Sequence, residues 1–451
     1  MDPHLLSPTG APAPTGAPRP PSPEDASAPV PPPLPPAALT LLQRLFSAYP
    51  GSLALSVGGW QERLGRHRSQ PPAFTLVLSD ATALRRLLLG RDPLRFAEAY
   101  FSGELEVAGD FFAALQLKDH LSELTLSWRD RLRLAVRLLA PAPGASDPSL
   151  RAGGVRRHTR TENKAAIAFH YDLSNDFYAL WLDPAMVYSC AYYETDDTPL
   201  AEAQRAKLDH ICRKLRLQPG EQLLDIGCGW GALVMHAARH YGVKATGITL
   251  SERQFGLARS RILAAGLEGQ VEVRLCDYRD MTGQFDKIAS VGMFEHVGLK
   301  NLPTYFACVH ALLRPGGLFL NHGITHEEEG WGQALSSRFI NRYVFPDGEL
   351  DRVSNVMRAM ERQQFELHDV EGLRMHYART LRAWVRQLEA AHAQALAWVD
   401  EPHWRIWRLY MAACALEFES GELGLYQILA SKRDGGPAPV PLTRRHLYEP
   451  R

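Results

Sequence analysis

The chain has 451 residues, with 50 Lys plus Arg against 50 Asp plus Glu, so its formal net charge is zero. This length exceeds one ordinary domain and favours two globular units with tails. The charge balance argues against a protein that binds nucleic acid through bulk positive charge, so no nucleic-acid partner is expected. The six cysteines include no Cys-x-x-Cys pair, which indicates neither a disulfide framework nor a zinc site, and no metal is expected.

The first 36 residues are rich in Pro, Ala, Ser and Gly and cannot bury enough apolar surface to fold. We predict a disordered tail with polyproline II character there. Residues 37–140 predict a small N-terminal α+β domain with a lipid-docking or dimerisation role. Its predicted elements are helices at 41–49, 81–89, 96–101 and 110–120 and strands near 53–57, 74–78 and 105–107.

The end of this domain, 121–140, alternates arginines with Leu, Val and Trp. A basic amphipathic helix of this kind is typical of contact with an anionic membrane surface. A solvated arginine face over an ordinary core explains the same pattern, and the sequence leaves both interpretations open. Residues 141–160 are rich in Pro, Gly and Ala and then in Arg, which predicts an interdomain linker.

Residues 161–436 alternate strand and helix patterns, which predict an α/β, Rossmann-like catalytic domain with a helical cap. Ligands in such sheets bind at the carboxyl ends of the strands. Residues 437–451 are predicted to be a frayed C-terminal tail. The predicted strands are 222–225, 244–249, 271–275, 287–291, 317–322 and 425–431 at the sheet edge, and the predicted helices are 201–215, 251–265, 302–313, 336–341, 350–364, 377–399 and 401–418.

The turn Asp225–Gly231, with the sequence Asp-Ile-Gly-Cys-Gly-Trp-Gly, follows a buried strand and precedes a helical run. Alternating glycines permit positive φ and let a ligand lie against bare backbone at a helix N-terminus. The pattern is neither the Gly-x-Gly-x-x-Gly of dinucleotide binders nor a P-loop, which needs Gly-Lys-Ser/Thr. The turn therefore favours a nucleoside with an amino-acid tail, such as S-adenosylmethionine.

The next two strand ends carry residues that suit an adenosine. Thr249 stands where many such folds place an acid for the ribose hydroxyls, so backbone, Ser251 or Gln254 would serve instead. Asp277 could meet the adenine amino group while Tyr278 flanks the ring. Each residue alone is equally an ordinary strand-end cap, but their order along the sheet favours adenosine binding.

Two further strand ends bring a carboxylate and an imidazole to the same cleft. Glu295 follows the fourth strand and His322 ends the fifth, so the two lie side by side if these strands are neighbours. A buried carboxylate there could hold or accept a proton. The segments 169–178 and 187–193 are dense in aromatic residues, which suits either packing over the core or a cleft wall that stabilises a cation.

The chain resembles the family of cyclopropane-fatty-acyl-phospholipid synthases and mycolic acid cyclopropane synthases. The resemblance is close over about 161–431 and looser over 37–120, which resembles the small N-terminal domain of the phospholipid-acting bacterial members. The motifs that carry it are His170-Tyr171-Asp172-Leu173, Tyr188-Ser189-Cys190, the Asp225–Gly231 turn, Gly247-Ile248-Thr249-Leu250-Ser251, Gly292-Met293-Phe294-Glu295-His296-Val297-Gly298 and Tyr343-Val344-Phe345-Pro346-Asp347-Gly348.

The resemblance implies a methyl transfer from S-adenosylmethionine to a cis alkene, followed by loss of a proton to a bound bicarbonate. It implies bicarbonate ligands in the side chains of Glu295, His322 and Tyr377 and in the backbone of Cys190 and Ile324. Cys414 matches a cysteine sometimes given a catalytic role, although a small buried thiol is the ordinary expectation. The implied cofactor-binding residues are Tyr188, Ser189, Asp225, Gly227, Gly229, Trp230, Gly231, Thr249, Leu250, Ser251, Gln254, Asp277 and Tyr278.

The expected function is therefore formation of a cyclopropane ring on an unsaturated phospholipid acyl chain. A methyl-branched acyl product, an N-methylation of a small molecule and a non-catalytic lipid-binding role remain as alternatives. The chain has neither a signal-peptide core nor an apolar run of the ~20 residues that span a membrane, so we expect a cytoplasmic protein. We expect it to associate peripherally with the inner face of a phospholipid membrane, and similar enzymes suggest a homodimer.

Overall fold

The computed structural model describes residues 36–80, 83, 94–123, 173–327 and 349–449. Several sequence predictions lie outside these residues. They are the tail up to residue 35, the helix at 81–89 apart from Ala83, the basic segment from 124, the linker, the helix at 336–341, and the motifs at 170–172 and 343–348.

In the residues that the structure describes, the N-terminal part folds into a four-stranded sheet, and the helices with defined bounds are three. Strand β1 pairs in parallel with β3 and antiparallel with β2, and β4 forms the other edge beside β3. The sequence did not predict β2, because three consecutive polar residues separate its two buried residues, Trp60 and Leu64. The elements are α1 Pro36–Phe46, β1 Leu53–Val57, β2 Trp60–Leu64, β3 Phe74–Leu78, α2 Leu94–Phe101, β4 Leu105–Gly109 and α3 Phe111–Glu123.

The second part is a mixed α/β unit around a seven-stranded, mostly parallel sheet in the order β10-β11-β9-β8-β5-β6-β7. This confirms the predicted Rossmann-like α/β class. The strands are β5 Gln222–Ile226, β6 Lys244–Thr249, β7 Val271–Leu275, β8 Phe285–Val291, β9 Leu313–His326, β10 Phe365–Gly372 and β11 Leu423–Lys432. The helices are α4 Asn175–Ala179, α5 Leu200–Lys214, α6 Ala232–Tyr241, α7 Glu252–Ala264, α8 Leu302–Leu312, α9 Val353–Arg362, α10 Arg374–Ala390, α11 His392–Ala395 and α12 Glu401–Ser420.

Two predictions in the C-terminal third were wrong in detail. Strand β11 is not at the sheet edge, because β10 pairs antiparallel with its outer side. The polar, mixed pattern Phe-Glu-Leu-His-Asp-Val-Glu-Gly of β10 hid this strand from sequence analysis. The single helix predicted at 377–399 is two helices, α10 and α11, which meet at Ala391 without a Gly or Pro to signal the break.

The predicted frayed C-terminal tail is also wrong for the described residues up to 449. A short 3-10 helix, Arg445–Leu447, buries Leu447. The Arg213 guanidinium on α5 donates to the carbonyl of Glu449 at 2.6 Å, and Arg444 forms an ion pair with Asp369 on β10. These polar contacts fasten a Pro-rich stretch that lacks the apolar periodicity by which sequence analysis recognises packed structure.

Helix α12 joins the two sheets. The Arg405 guanidinium pairs with Glu106 on β4 at 2.5 Å and donates to the carbonyl of Tyr100 at 2.9 Å. Arg408, one turn further, donates to the Tyr100 hydroxyl at 3.0 Å and lies 3.8 Å above the Phe111 ring centroid. One hydrophobic core consequently runs from the N-terminal sheet to α10 and α12. Within the described ranges, no helix is long and apolar enough to cross a membrane.

Candidate active site

The Asp225–Gly231 turn joins β5 to α6 at the carboxyl end of the sheet. Gly227, Gly229 and Gly231 all have positive φ, at 82°, 53° and 82°. The amides of Gly227 and Cys228 both donate to the Ile248 carbonyl on β6, at 3.0 and 2.9 Å, which fixes the turn. A Cβ on Gly229 would meet no atom within 4 Å, so its backbone faces open space. The turn therefore presents bare backbone to a cavity, as its glycines predict.

That cavity contains ten of the thirteen predicted cofactor residues. The structure places the other three beside it in local structural roles. Gly231 is the N-cap of α6, the Ser251 hydroxyl caps α7 by accepting from the Gln254 amide, and Asp277 accepts two hydrogen bonds from the Arg279 side chain. The ten lining residues are Tyr188, Ser189, Asp225, Gly227, Gly229, Trp230, Thr249, Leu250, Gln254 and Tyr278.

Two ionisable side chains make this cavity suitable for a charged ligand. Asp225 is 3 % exposed, and burial raises its pKa to about 7 against the opposing charge of Lys207. Its Oδ1 has no hydrogen-bond partner. Lys207 on α5 lines the same cavity, although sequence analysis missed it. A lysine on the buried stripe of an amphipathic helix was the available signal. These residues and the glycine turn fit a nucleoside that carries a zwitterionic amino acid.

A second cavity adjoins the first and shares Tyr188, Ser189, Gly292 and His296 with it. All six predicted catalytic residues line this second cavity. Its remaining walls are mainly apolar, which suits a hydrocarbon chain. The predicted residues are Cys190, Glu295, His322, Ile324, Tyr377 and Cys414, and the others include Leu350, Leu381, Tyr410, Phe418, Leu423 and Leu425.

Glu295 and His322 share this cavity because their strands are neighbours, as the sequence analysis expected. Strand β8 pairs with β9, with Val291 opposite His322. Glu295 Oε1 accepts a 2.7 Å hydrogen bond from the amide of Ile324, and Oε2 has no partner. The Ile324 amide therefore positions the Glu295 carboxylate in this structure. Burial raises the pKa of Glu295 to about 7, although the Ile324 hydrogen bond opposes the rise.

His322 is buried and held by one neighbour that sequence analysis missed. Gln427, opposite His322 on β11, donates its side-chain N–H to Nδ1 at 3.1 Å with the amide oriented as it stands. The imidazole Nε2 has no partner. Burial, together with the charges of Lys207 and Lys214, lowers the pKa of His322 well below its ordinary value. His322 is therefore neutral, with its proton on Nε2. The contact of Gln427 with His322 follows from the pairing of β11 with β9, which the sequence does not show.

The two cysteines of the second cavity are not activated. Burial raises the thiol pKa of both Cys190 and Cys414 well above the ordinary value. A thiol is a nucleophile only as the thiolate. The structure therefore gives Cys414 a place in the wall but no nucleophilic character. Across the described residues, no group of three or more His, Cys, Asp and Glu side chains could hold a metal ion.

The described part of the two aromatic segments packs in the core through Phe177 and Tyr178 and contributes Tyr188 to the cavity wall. Tyr178 lies 5.1 Å from the Trp230 ring of the glycine turn and 5.7 Å from Tyr188. Tyr188 in turn lies 5.2 Å from Trp384 on α10. Tyr188 lines both cavities. This cluster, with α10 and α12, is the predicted helical cap.

Comparison with known proteins agrees with this geometry. The family model of mycolic acid cyclopropane synthetase matches residues 158–428. A probable fatty acid methyltransferase from Pseudomonas putida is 44% identical over 356 residues, 78% of this chain and 85% of that protein. The cyclopropane-fatty-acyl-phospholipid synthase of Escherichia coli K12 is 40% identical over 287 residues, 63% of this chain and 73% of that protein.

Among solved structures, the mycolic acid cyclopropane synthase CmaA1 complexed with SAH and CTAB is 36% identical, with a TM-score of 0.57. The match covers 60% of this chain and 98% of that one. The glycine turn, the paired cavities and these relatives agree on one methyl donor and one class of acceptor. The chain belongs to the mycolic acid cyclopropane synthetase family and is an S-adenosylmethionine-dependent methyltransferase that modifies lipid.

Proposed function

We propose that this enzyme adds a methylene bridge to the cis double bond of an unsaturated phospholipid acyl chain, forming a cyclopropane ring. The observation that carries the proposal is the convergence of two unpartnered polar atoms, Glu295 Oε2 and His322 Nε2, in an apolar cavity. Buried polar atoms are normally satisfied, so such a pair indicates that a polar group binds there. That cavity adjoins the cofactor cavity through Tyr188 and Ser189.

S-adenosylmethionine supplies an electrophilic methyl group. The alkene forms a C–C bond to the methyl carbon while the S–CH₃ electron pair leaves with sulfur, and a secondary carbocation remains. Loss of a proton from the transferred methyl group lets its C–H electron pair close the ring. The apolar walls exclude water, which would otherwise quench the cation. The face of Tyr188 and the other rings of the wall stabilise positive charge.

We propose a bound bicarbonate as the base, held by Glu295, His322 and Tyr377. His322 can donate to an anion, because Gln427 occupies Nδ1 and leaves the Nε2–H free. Ionised Glu295 can accept from the hydroxyl of bicarbonate through its unpartnered Oε2. Glu295, His322 and Tyr377 would thus hold a bicarbonate that could supply the base for the methyl proton.

A methyl-branched acyl chain is the second candidate product. The observation that favours it is the Pseudomonas putida relative, whose name is probable fatty acid methyltransferase and which matches 78% of this chain. Both products share the first step and differ in the fate of the cation. We further propose that the enzyme reaches its acyl chains from the cytoplasmic face of a phospholipid membrane, with the N-terminal sheet and the basic segment as contacts. A homodimer stays a prediction.

Product analysis tests the proposal directly. Vesicles of phospholipid with a monounsaturated acyl chain are incubated with enzyme and methyl-labelled S-adenosylmethionine, and the released acyl chains are analysed by mass spectrometry. We expect chains heavier by one CH₂ that resist mild hydrogenation at the former double bond. A labelled chain, heavier by one CH₂, that takes up hydrogen supports the second candidate, because a cation that loses a proton from the chain itself leaves a methyl-branched alkene. Label on an amine overturns both candidates.

A further inference from the structure

Lys207 is a buried lysine in the wall of the cofactor cavity. It is 2 % exposed, and its Nζ donates to the Ser189 hydroxyl at 2.8 Å. Among the described residues it forms no ion pair and no second hydrogen bond. An ammonium carries three N–H donors. Two donors therefore remain for a ligand.

The nearby acids do not neutralise Lys207 by contact. Both carboxylate oxygens of Asp183 accept backbone amides, those of Ala185 and Val187, each at 2.9 Å. The positive charge of Lys207 opposes the rise in the pKa of Asp225 that burial causes. Asp225 Oδ1 nevertheless has no hydrogen-bond partner. A buried cation and a buried carboxylate thus line one cavity with unused hydrogen-bonding capacity on each. Burying an unpaired charge costs free energy, so Lys207 and Asp225 both favour a ligand of opposite charge in this cavity.

We propose that Lys207 binds the carboxylate at the amino-acid end of S-adenosylmethionine, while Asp225 faces its ammonium. An α-amino acid carries these opposite charges a few bonds apart, and the two side chains offer the complementary pair. Lys207 also touches Ser189, which lines both cavities. Seating the carboxylate on Lys207 therefore sets the methionyl end beside the acyl cavity. This inference rests on the methyl donor alone and not on the proposed product.

The charge state of the site supports this assignment. Burial lowers the pKa of Lys207 to about 8, and the acids around it resist that fall. Lys207 is consequently protonated at neutral pH, as carboxylate binding requires. The glycine turn beside it has no cation of its own. Among the residues described around this cavity, Lys207 is the one lysine or arginine in the lining.

The test is equilibrium binding without lipid, by calorimetry at pH 7.5. Two probes are compared, S-adenosylhomocysteine and its decarboxylated analogue, which keeps the ammonium. A charge-assisted hydrogen bond of this kind corresponds to about 10- to 100-fold in affinity. We expect Lys207→Met to weaken S-adenosylhomocysteine binding by that factor and to leave binding of the decarboxylated analogue unchanged or tighter.

Two further variants distinguish carboxylate binding by Lys207 from a purely structural role. Lys207→Gln is neutral but keeps a donor for Ser189. If the positive charge binds the carboxylate, this variant should also lose the preference for S-adenosylhomocysteine over the decarboxylated analogue. Asp225→Asn is the matched control, because it is expected to keep the preference for the carboxylate and to lose affinity for the ammonium. Equal weakening of both probes by Lys207→Met and Lys207→Gln would overturn the inference and reduce Lys207 to a support for Ser189.

Discussion

Gln427 donates its side-chain N–H to Nδ1 of His322 across two paired strands, at 3.1 Å. Gln427 is fully buried, so no water competes for this hydrogen bond. An amide N–H at Nδ1 makes that nitrogen the acceptor, which leaves the ring proton on Nε2, toward the cavity. The donor that His322 offers to a bound anion therefore depends on a residue that does not touch the anion.

Gln427→Glu should reverse this arrangement. The carboxylate would accept from Nδ1–H, so neutral His322 would turn an acceptor lone pair toward the cavity. We expect kcat to fall about 10- to 100-fold, the value of a charge-assisted hydrogen bond, with the Kd for S-adenosylhomocysteine unchanged. Acidification should raise the kcat of the variant relative to that of the unmodified enzyme at the same pH, because a carboxylate at Nδ1 favours doubly protonated His322.

The pH–rate profile distinguishes this positioning role from a packing role. Gln427→Leu serves as the control, since it removes the amide without supplying an acceptor. A packing role would lower kcat equally in both variants, with profiles parallel to the unmodified enzyme.

Glu295→Gln should retain cofactor binding and lose most turnover. The amide cannot accept from a bicarbonate hydroxyl as a carboxylate does, and loss of a proton-handling group costs about 10²- to 10⁴-fold. Burial raises the pKa of Glu295 to about 7, so the unmodified enzyme should gain activity as pH rises through that value. Turnover and S-adenosylhomocysteine affinity, measured from pH 6 to 8.5, check this. Unchanged turnover would remove Glu295 from the mechanism.

The same substitution should change how stability depends on pH. Between pH 4.5, the ordinary pKa, and about 7, folded Glu295 keeps a proton that the unfolded chain has lost. The free energy of unfolding therefore falls as pH rises through this window. The Glu295→Gln side chain is neutral at every pH. Between pH 5 and pH 8 the free energy of unfolding of the variant should therefore rise by up to roughly 3 kcal/mol relative to that of the unmodified protein. Urea unfolding at both pH values measures the difference, and parallel pH dependences would contradict the raised pKa.

The sequence predicts much of the catalytic unit because each part of it is a local signal. Strand-helix alternation, the glycine turn and the strand-end Glu295 are all visible along the chain, and strand adjacency then brings His322 beside Glu295. All six predicted catalytic residues accordingly line one cavity.

What the sequence missed depends on contacts between distant segments. Gln427 meets His322 only through the register of β11 on β9, and the polar strand β10 is recognisable only by its pairing. Lys207 lies on the apolar stripe of α5, which signals burial, but only the packing of α5 on the sheet shows that it lines the cofactor cavity. Asp277 was predicted to bind the adenine amino group, but in the structure the Arg279 side chain donates hydrogen bonds to both of its carboxylate oxygens.

Gly323→Ala should damage the second cavity, the one lined by Glu295 and His322, through displacement of Glu295. A Cβ at residue 323 would lie 2.0 Å from Phe294 Cε1 and 3.0 Å from Glu295 Oε1, so both side chains would have to move. We expect about 1–3 kcal/mol of lost stability from overpacking, together with a clear loss of kcat. Gly256→Ala is the control, because its Cβ in helix α7 would meet nothing within 4 Å. It should stabilise the protein by up to about 1 kcal/mol. Two variants of equal stability would refute the steric argument.

Arg408→Met should weaken the attachment of the N-terminal sheet to α12. Arg408 is 8 % exposed, donates to Tyr100 and Glu389, and lies over the Phe111 ring. Methionine keeps most of the apolar contact but leaves the Tyr100 hydroxyl and Glu389 without this donor. We expect a loss of about 2–3 kcal/mol in the free energy of unfolding, measured in urea.

The N-terminal sheet should then exchange its amide hydrogens faster relative to the seven-stranded sheet than in the unmodified protein, because the buried guanidinium contacts to Tyr100 and Phe111 are lost. Arg433→Met provides the matched control, since Arg433 is 70% exposed and lies 3.6 Å from Glu366. An exposed pair of this kind is worth at most about 1 kcal/mol. Affinity for S-adenosylhomocysteine should be unchanged in both variants, because no residue of α12 lines the cofactor cavity. If Arg408→Met were no less stable than Arg433→Met, the two sheets would be held together by apolar packing, and the guanidinium would be dispensable.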